Sequence, residues 1–234
     1  MTRDRTLPAR AAESGGLRGT THRRAQTRRR LLDAARVVFA ELGFAAATVE
    51  LICDRAGFSR GAFYSNFSSK EDLFVELALR VSEEKLKSVE TRLEGLKSRG
   101  LQFLTGDDIV VQLLDVLVED RVGVLLMNEF RTNAMRNPEI ATAYLRWSER
   151  MLASASAIVE DILRATPLRA RVPPSEISRH VIMTWDSVSS QAVIAGVGAS
   201  AMRALVSERV LIVARALVDD LAEIPDSGPP PVTP

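Results

Sequence analysis

The sequence predicts an all-α protein in which a small N-terminal head of three helices precedes a larger C-terminal helical bundle, about nine helices in total. Three observations predict it. Apolar residues recur at three- and four-residue intervals along most of the chain. Gly and Pro residues interrupt them at helix-length spacing, and no alternating run is bounded by hairpin signals. With 234 residues, 46% of them hydrophobic and 26% charged, the chain suits one large domain or a small domain joined to a medium one.

Taken in order, residues 1–24 hold Gly, Pro, Thr and Arg without apolar periodicity and read as a disordered basic arm. From Thr27 onward Leu31, Ala35, Val38, Phe39 and Leu42 keep helical spacing, and Gly43 ends that helix. Thr48 caps a short second helix with Val49, Ile52, Cys53 and Ala56 on its inner face. Gly57 and Phe58 form a tight break, and Ser59 caps a third helix that runs to about Phe67. Ser68 or Ser69, with Glu71 or Asp72 three residues on, opens a long fourth helix to about Lys97.

Past a Gly-containing break at 100–106, helical periods cover Ile109–Glu119, Val122–Arg136, Glu139–Ala165, Ser175–Ala195 and Ala201–Leu221. The Pro-rich end reads as a disordered tail. The expected organisation is an arm at 1–24, a helix-turn-helix domain at 25–72, a larger domain at 73–222 and the tail at 223–234.

Charge is unevenly placed. Within 1–30 nine arginines face two acidic side chains, a balance of +7, whereas the whole chain carries only +1. A basic N-terminal end on a mildly acidic remainder points to a polyanionic partner. A single cysteine, Cys53, excludes an internal disulfide and a Cys-based zinc site. The N-terminal arginines precede no apolar signal segment. The weakly polar run Ala192–Leu205 is broken by Arg203 and is too short to span a bilayer, so a cytoplasmic protein is expected. No phosphate-loop, dinucleotide or nucleophile-elbow motif occurs. Glu176 and His180, at i and i+4, would supply half a metal site and lack further ligands, so they read as a surface pair. Neither an enzyme nor a metal or other cofactor is expected.

The stretch SRGAFYSNFSSKEDLF, 59–74, concentrates the chemistry. Two short helices joined by a glycine-containing turn form a helix-turn-helix. Phe63 and Phe67 share a face that packs on Ile52, Val38 and Phe39. The opposite surface carries Arg60, Gly61, Tyr64, Ser65 and, on one flank, Asn66, which suits a helix entering a major groove about 12 Å wide. Gly61 costs about 1 kcal/mol of helix stability against Ala, and close approach to another surface explains that cost. Tyr64 can lay its ring on sugar and donate to phosphate, while Lys70 adds a point charge. Arg23, Arg24, Arg28, Arg29 and Arg30 reach the minor groove or phosphates, or stay solvated.

TVELICDRAGFSRGAFYSNFSSKEDLF, 48–74, resembles the DNA-binding head of TetR-family transcriptional regulators. The likeness lies in the Thr that opens the second helix, the Ala-Gly at its end, Ser-x-Gly, Tyr-x-x-Phe and Ser-Lys-Glu. It extends back to Arg29 through Phe39–Phe44 and departs at Phe58 and Asn66. It implies phosphate contacts at Thr48, Tyr64 and Lys70, and a base-facing set of Arg60, Gly61, Ser65 and Asn66. It further implies a repressor that binds a palindromic double-stranded DNA operator as a homodimer, with the last two long helices of each subunit in the interface. Those helices offer Ile177, Val181, Val188 and Ile194, and Leu205, Val206, Val210 and Val213.

The same likeness implies a pocket for an apolar small-molecule effector between helices 4 and 8. Phe103, Met127, Phe130, Trp147, Met151 and Trp185 are the expected lining, with Asn128, Arg131 or His180 as polar anchors. Ligand would shift helix 4 and release the operator. A ligand-independent DNA-binding or nucleoid-type protein of the same fold is the alternative, distinguished by a filled core.

Overall fold

The computed structural model describes residues 14–117 and 121–219. Nine α-helices occur among them: α1 Ser14–Ala46, α2 Val49–Ala56, α3 Arg60–Tyr64, α4 Lys70–Ser98, α5 Gly106–Leu114, α6 Arg121–Ala134, α7 Pro138–Ala165, α8 Pro174–Ile194 and α9 Ala199–Leu217. The chain divides into two compact units after Phe74, two residues from the expected boundary.

In the head, α1 is interrupted at Gly43, whose φ of 74° suits glycine and ends the regular helix where the sequence put its stop. Residues 1–13 of the expected arm lie outside the described residues, and from Ser14 the backbone is helical. Thr48 caps α2 by accepting from Leu51 N at 3.2 Å, and Gly57 closes it at φ 72°. Ser59 caps α3 by accepting from Ala62 N at 3.2 Å. Ser69 accepts from Asp72 N at 3.0 Å and starts α4, while Asp72 Oδ2 takes the Ser68 N–H at 2.9 Å.

Helix α3 ends at Tyr64, short of the expected Phe67. The physical reason is competition for its last carbonyls. Ser65 Oγ and Asn66 Nδ2 both donate to Ala62 O, at 2.9 and 2.8 Å, and Asn66 N turns back to Phe63 O at 2.8 Å. Leu31, Ala35, Val38, Phe39, Ile52, Phe63, Phe67 and Phe74 are all buried. Phe39, Phe44 and Phe74 form an aromatic cluster with centroids 4.7–5.7 Å apart.

Apolar clusters among the described residues build the second unit. Val89, Leu93 and Leu96 of α4 pack with Leu101, Ile109 and Leu113, against Ile158 and Ile162 of α7. Leu114, Val124, Ala192, Met202, Val206 and Val210 form another. Helix α5 begins at Gly106, three residues before the apolar period, because Thr105 and Asp108 close a capping box. A two-residue antiparallel ladder, β1 Arg169–Ala170 with β2 Val218–Asp219, ends α9 at Leu217. It is too short to leave an alternating signature. The expected tail at 223–234 lies outside the described residues.

Candidate functional site

Two sites emerge, one in each unit. In the head, α3 turns Phe63 fully inward, with Phe67 buried just past its end, and leaves the opposite side bare. Tyr64 is 51% exposed, its ring edge-on to Phe63 at 5.2 Å. Arg60 is exposed and pairs with Glu50 of α2 at 2.8 Å, a link that water screens and another anion can displace. At Gly61 an added Cβ would meet only Ser59 Oγ, at 3.7 Å, and its φ is not positive. Nothing inside the head therefore requires glycine there. Ser65 is exposed, with its hydroxyl on Ala62 O.

Three expected contacts have internal roles. Asn66 does not join the bare surface: it is 9% exposed, its amide donates to Ala62 O, and its Oδ1 is buried without a partner. The early end of α3 swings it inward. Lys70 Nζ donates to Phe44 O and Ala47 O, both at 2.8 Å, and lies 4.4 Å from the Phe44 ring centre. Two of its three ammonium protons thus hold the turn between α1 and α2. Thr48 stays exposed, with its oxygen engaged as the cap.

Sequence reasoning did not assign internal roles to the arginines of α1. Arg24 Nη2 donates to Ser65 O at 3.1 Å, and Arg28 Nη1 donates to Asn66 O. Arg30 Nη2 donates to Ala56 O at 2.8 Å. Arg28 also lies over Phe67 at 4.2 Å, and Arg30 over Phe58 at 4.7 Å. Arg23 and Arg29 are exposed. Only a cluster of basic residues one and two turns ahead of an apolar helix face signalled these contacts.

The second unit contains a cavity of about 1110 Å³ walled by α4 to α9. Met127, Arg131, Trp147, Met151 and Trp185 line it, joined by Tyr144, Ile158, Ile182 and Asp186. The other expected residues do not. Phe103 is 83% exposed in a short turn, and Phe130 is completely buried behind the wall, 5.1 Å from Tyr144 and 5.8 Å from Trp147. Asn128 points away, donating to Val124 O at 2.9 Å and Ser190 Oγ at 3.0 Å. His180 is exposed, and Glu176 pairs with Arg179 at 3.4 Å instead.

The wall is mainly apolar, and its charged members include Lys85, Glu149 and Arg179 as well as three ion pairs. Arg131 bridges to Asp186 at 2.5 Å, with Tyr144 Oη at 3.4 Å from its Nε. Arg215 donates to Asp107 and Arg171 to Asp219, and those hydrogen bonds hold both carboxyls below the ordinary aspartate range. All four of these side chains are half-exposed cavity residues, which places a mouth beside the β1–β2 ladder. Such a chamber accepts an apolar molecule with few polar groups. Among the described residues no group of three or more His, Cys, Asp or Glu is placed to hold a metal ion, and no helix is long and apolar enough to cross a membrane.

Comparison with known proteins gives a consistent answer. Residues 31–77 match the family model described as bacterial regulatory proteins, tetR family. The HTH-type transcriptional regulator UidR of Escherichia coli is 34% identical over 116 residues, 49% of this chain and 55% of that protein, so the chain spans about half the length of that relative. The HTH-type transcriptional repressor Rv1474c of Mycobacterium tuberculosis is 44% identical over 167 residues, 70% of this chain and 81% of that protein. Among solved structures, Salmonella enterica GusR aligns with a TM-score of 0.65 and 26% identity, covering 82% of this chain and 95% of that one.

Proposed function

The chain belongs to the TetR family of bacterial regulatory proteins, and on that footing we propose that it is a sequence-specific DNA-binding repressor, homodimeric and released from its operator by an apolar small molecule. The observation that carries the reading is the bare surface of α3. Arg60, Gly61, Tyr64 and Ser65 are presented together, and the glycine has no internal reason to be there. A recognition helix that lies deep in a groove supplies one, because a side chain at that position would stand between backbone and base edges.

The relative from M. tuberculosis is named a repressor, which supports that sign of regulation here. For the homodimer, α8 and α9 each keep apolar residues on the outside: Met183 and Ile194 on one, Leu205 and Ile212 on the other, while Ile177, Val206 and Val210 fill the unit's own core. A two-fold pair of heads matches a palindromic operator. The cavity favours an effector-controlled protein over a ligand-independent DNA binder. Helix α4 starts at Lys70 in the head and contributes Ser82, Lys85, Leu86 and Val89 to the cavity wall, so it is the element through which a ligand acts. A hundredfold loss of operator affinity needs a coupling of about 2.8 kcal/mol.

The test is footprinting of the purified protein on the DNA upstream of its own gene, with salt titration and with apolar compounds added. Protection of a palindrome that weakens steeply with salt supports the reading. Tyr64→Phe would weaken all sites alike, whereas Arg60→Ala would change sequence preference. Absence of salt-sensitive protection contradicts the reading.

A further inference from the structure

We propose that Arg28, seconded by Arg24, is a positioning residue for DNA recognition: it holds the C-terminal end of α3 from α1 and acts on operator affinity through that hold. The inference rests on the DNA-binding reading of α3. Helix α3 has five residues, a little over one turn, and a helix that short has no stability of its own in water. Its N-terminus is fixed by the Ser59 cap and its inner side by Phe63. At its other end Ser65 and Asn66 satisfy Ala62 O, and their own carbonyls lie just past the helix, where cationic side chains are favourable partners.

Arg28 meets that need twice over. Its Nη1 donates to Asn66 O, and its guanidinium lies over Phe67, 4.2 Å from the ring centre. One planar group thereby fixes both the main chain and the buried aromatic that follow Tyr64. Arg24, one turn earlier on the same face of α1, donates to Ser65 O at 3.1 Å. Arg30 repeats the arrangement on the preceding helix, donating to Ala56 O at the end of α2 and lying over Phe58. Both helices of the motif are thus tied to α1 at their C-terminal ends, and the tilt at which Tyr64 and Gly61 meet a groove depends on those ties. An ammonium cannot donate and stack in this way, so lysine does not replace Arg28.

The experiment compares wild type with Arg28→Ala and Arg28→Lys. Operator binding is measured across a salt series, binding to random-sequence DNA serves as reference, and amide exchange at Asn66 and Phe67 is followed in the DNA-free protein. Both variants are expected to lose operator affinity, Arg28→Ala by at least tenfold and Arg28→Lys by several-fold. Affinity for random DNA should stay within about twofold, and the salt slope of Arg28→Ala should equal that of wild type. The two amides should exchange at least tenfold faster in Arg28→Ala while Leu31 and Ile52 keep their protection.

A slope lower by about 0.9 for Arg28→Ala, with unchanged exchange, would make Arg28 a phosphate contact and overturn the proposal. Unchanged operator affinity overturns it also. Should wild type itself bind no operator, the DNA-binding reading fails separately, and slow exchange in Arg28→Ala would still refute the tie between α1 and α3.

Discussion

Aromatic residues serve opposite purposes in the two units. In the head Phe39, Phe44, Phe63, Phe67 and Phe74 are each 9% exposed or less, and they fill the space between four helices. In the second unit Trp147, Tyr144 and Trp185 are only partly buried, because they stand around about 1110 Å³ of open volume. A filled core fixes the angle at which a helix is presented, which reading a groove requires. An unfilled one leaves room for another molecule to complete the packing, and so lets that molecule's presence be felt. Under the proposed function, the difference is that between an element that must keep its shape and one that must be able to change.

The comparison can be broken most forcefully at Phe63. Phe63→Ala should destabilise the head by about 3–5 kcal/mol, since the residue is completely buried. Met151→Ala, on the cavity wall, should cost only about 1 kcal/mol, because the removed atoms already border empty space. Both tryptophans lie in the second unit, so tryptophan fluorescence reports it alone while circular dichroism reports both. In Phe63→Ala, helicity should be lost at lower urea than the fluorescence change. Coincident transitions would show that the units do not unfold separately.

A smaller effect belongs to the caps. Thr48→Ala should lower head stability by about 1 kcal/mol through loss of the bond to Leu51 N, as read by thermal melting. The smallest lies at the cavity mouth. Asp107 and Asp219 are held below the ordinary aspartate range by Arg215 and Arg171, so their contribution is present above that range and is lost as pH falls through the lowered values. Melting of the second unit should be unaffected by these pairs between pH 8 and 5 and should become acid-sensitive only below the ordinary range. Asp107→Asn should reduce that acid sensitivity, and an unchanged acid limb would remove the pair from the account.

How far the sequence revealed each unit follows the same division. Thr48, Ser59 and the Ser69–Asp72 pair were legible as caps, because a cap is decided by residues three or four positions apart. The ties from Arg24 and Arg28 were not, since they join residues about forty positions apart and depend on how α1 crosses α3. The inward turn of Asn66 is local but follows from α3 ending earlier than its pattern suggests. Lys70 shows the same limit: a family pattern points it at phosphate, while the fold gives its ammonium two carbonyls. In the second unit, the family resemblance put Phe103 and Phe130 on a pocket lining, and the sequence could not say which way either faces. One is exposed and the other sealed behind the cavity.

The central claim is that α3 is bare at Gly61 because DNA lies against it. The most direct measurement pairs thermal melting with operator binding for Gly61→Ala. The fold tolerates the added methyl, whose only near neighbour is Ser59 Oγ at 3.7 Å, and alanine is the better helix former by about 1 kcal/mol. The variant should therefore melt at or above the wild-type temperature while operator affinity falls at least tenfold. Equal operator affinity in a protein that melts normally would contradict the account.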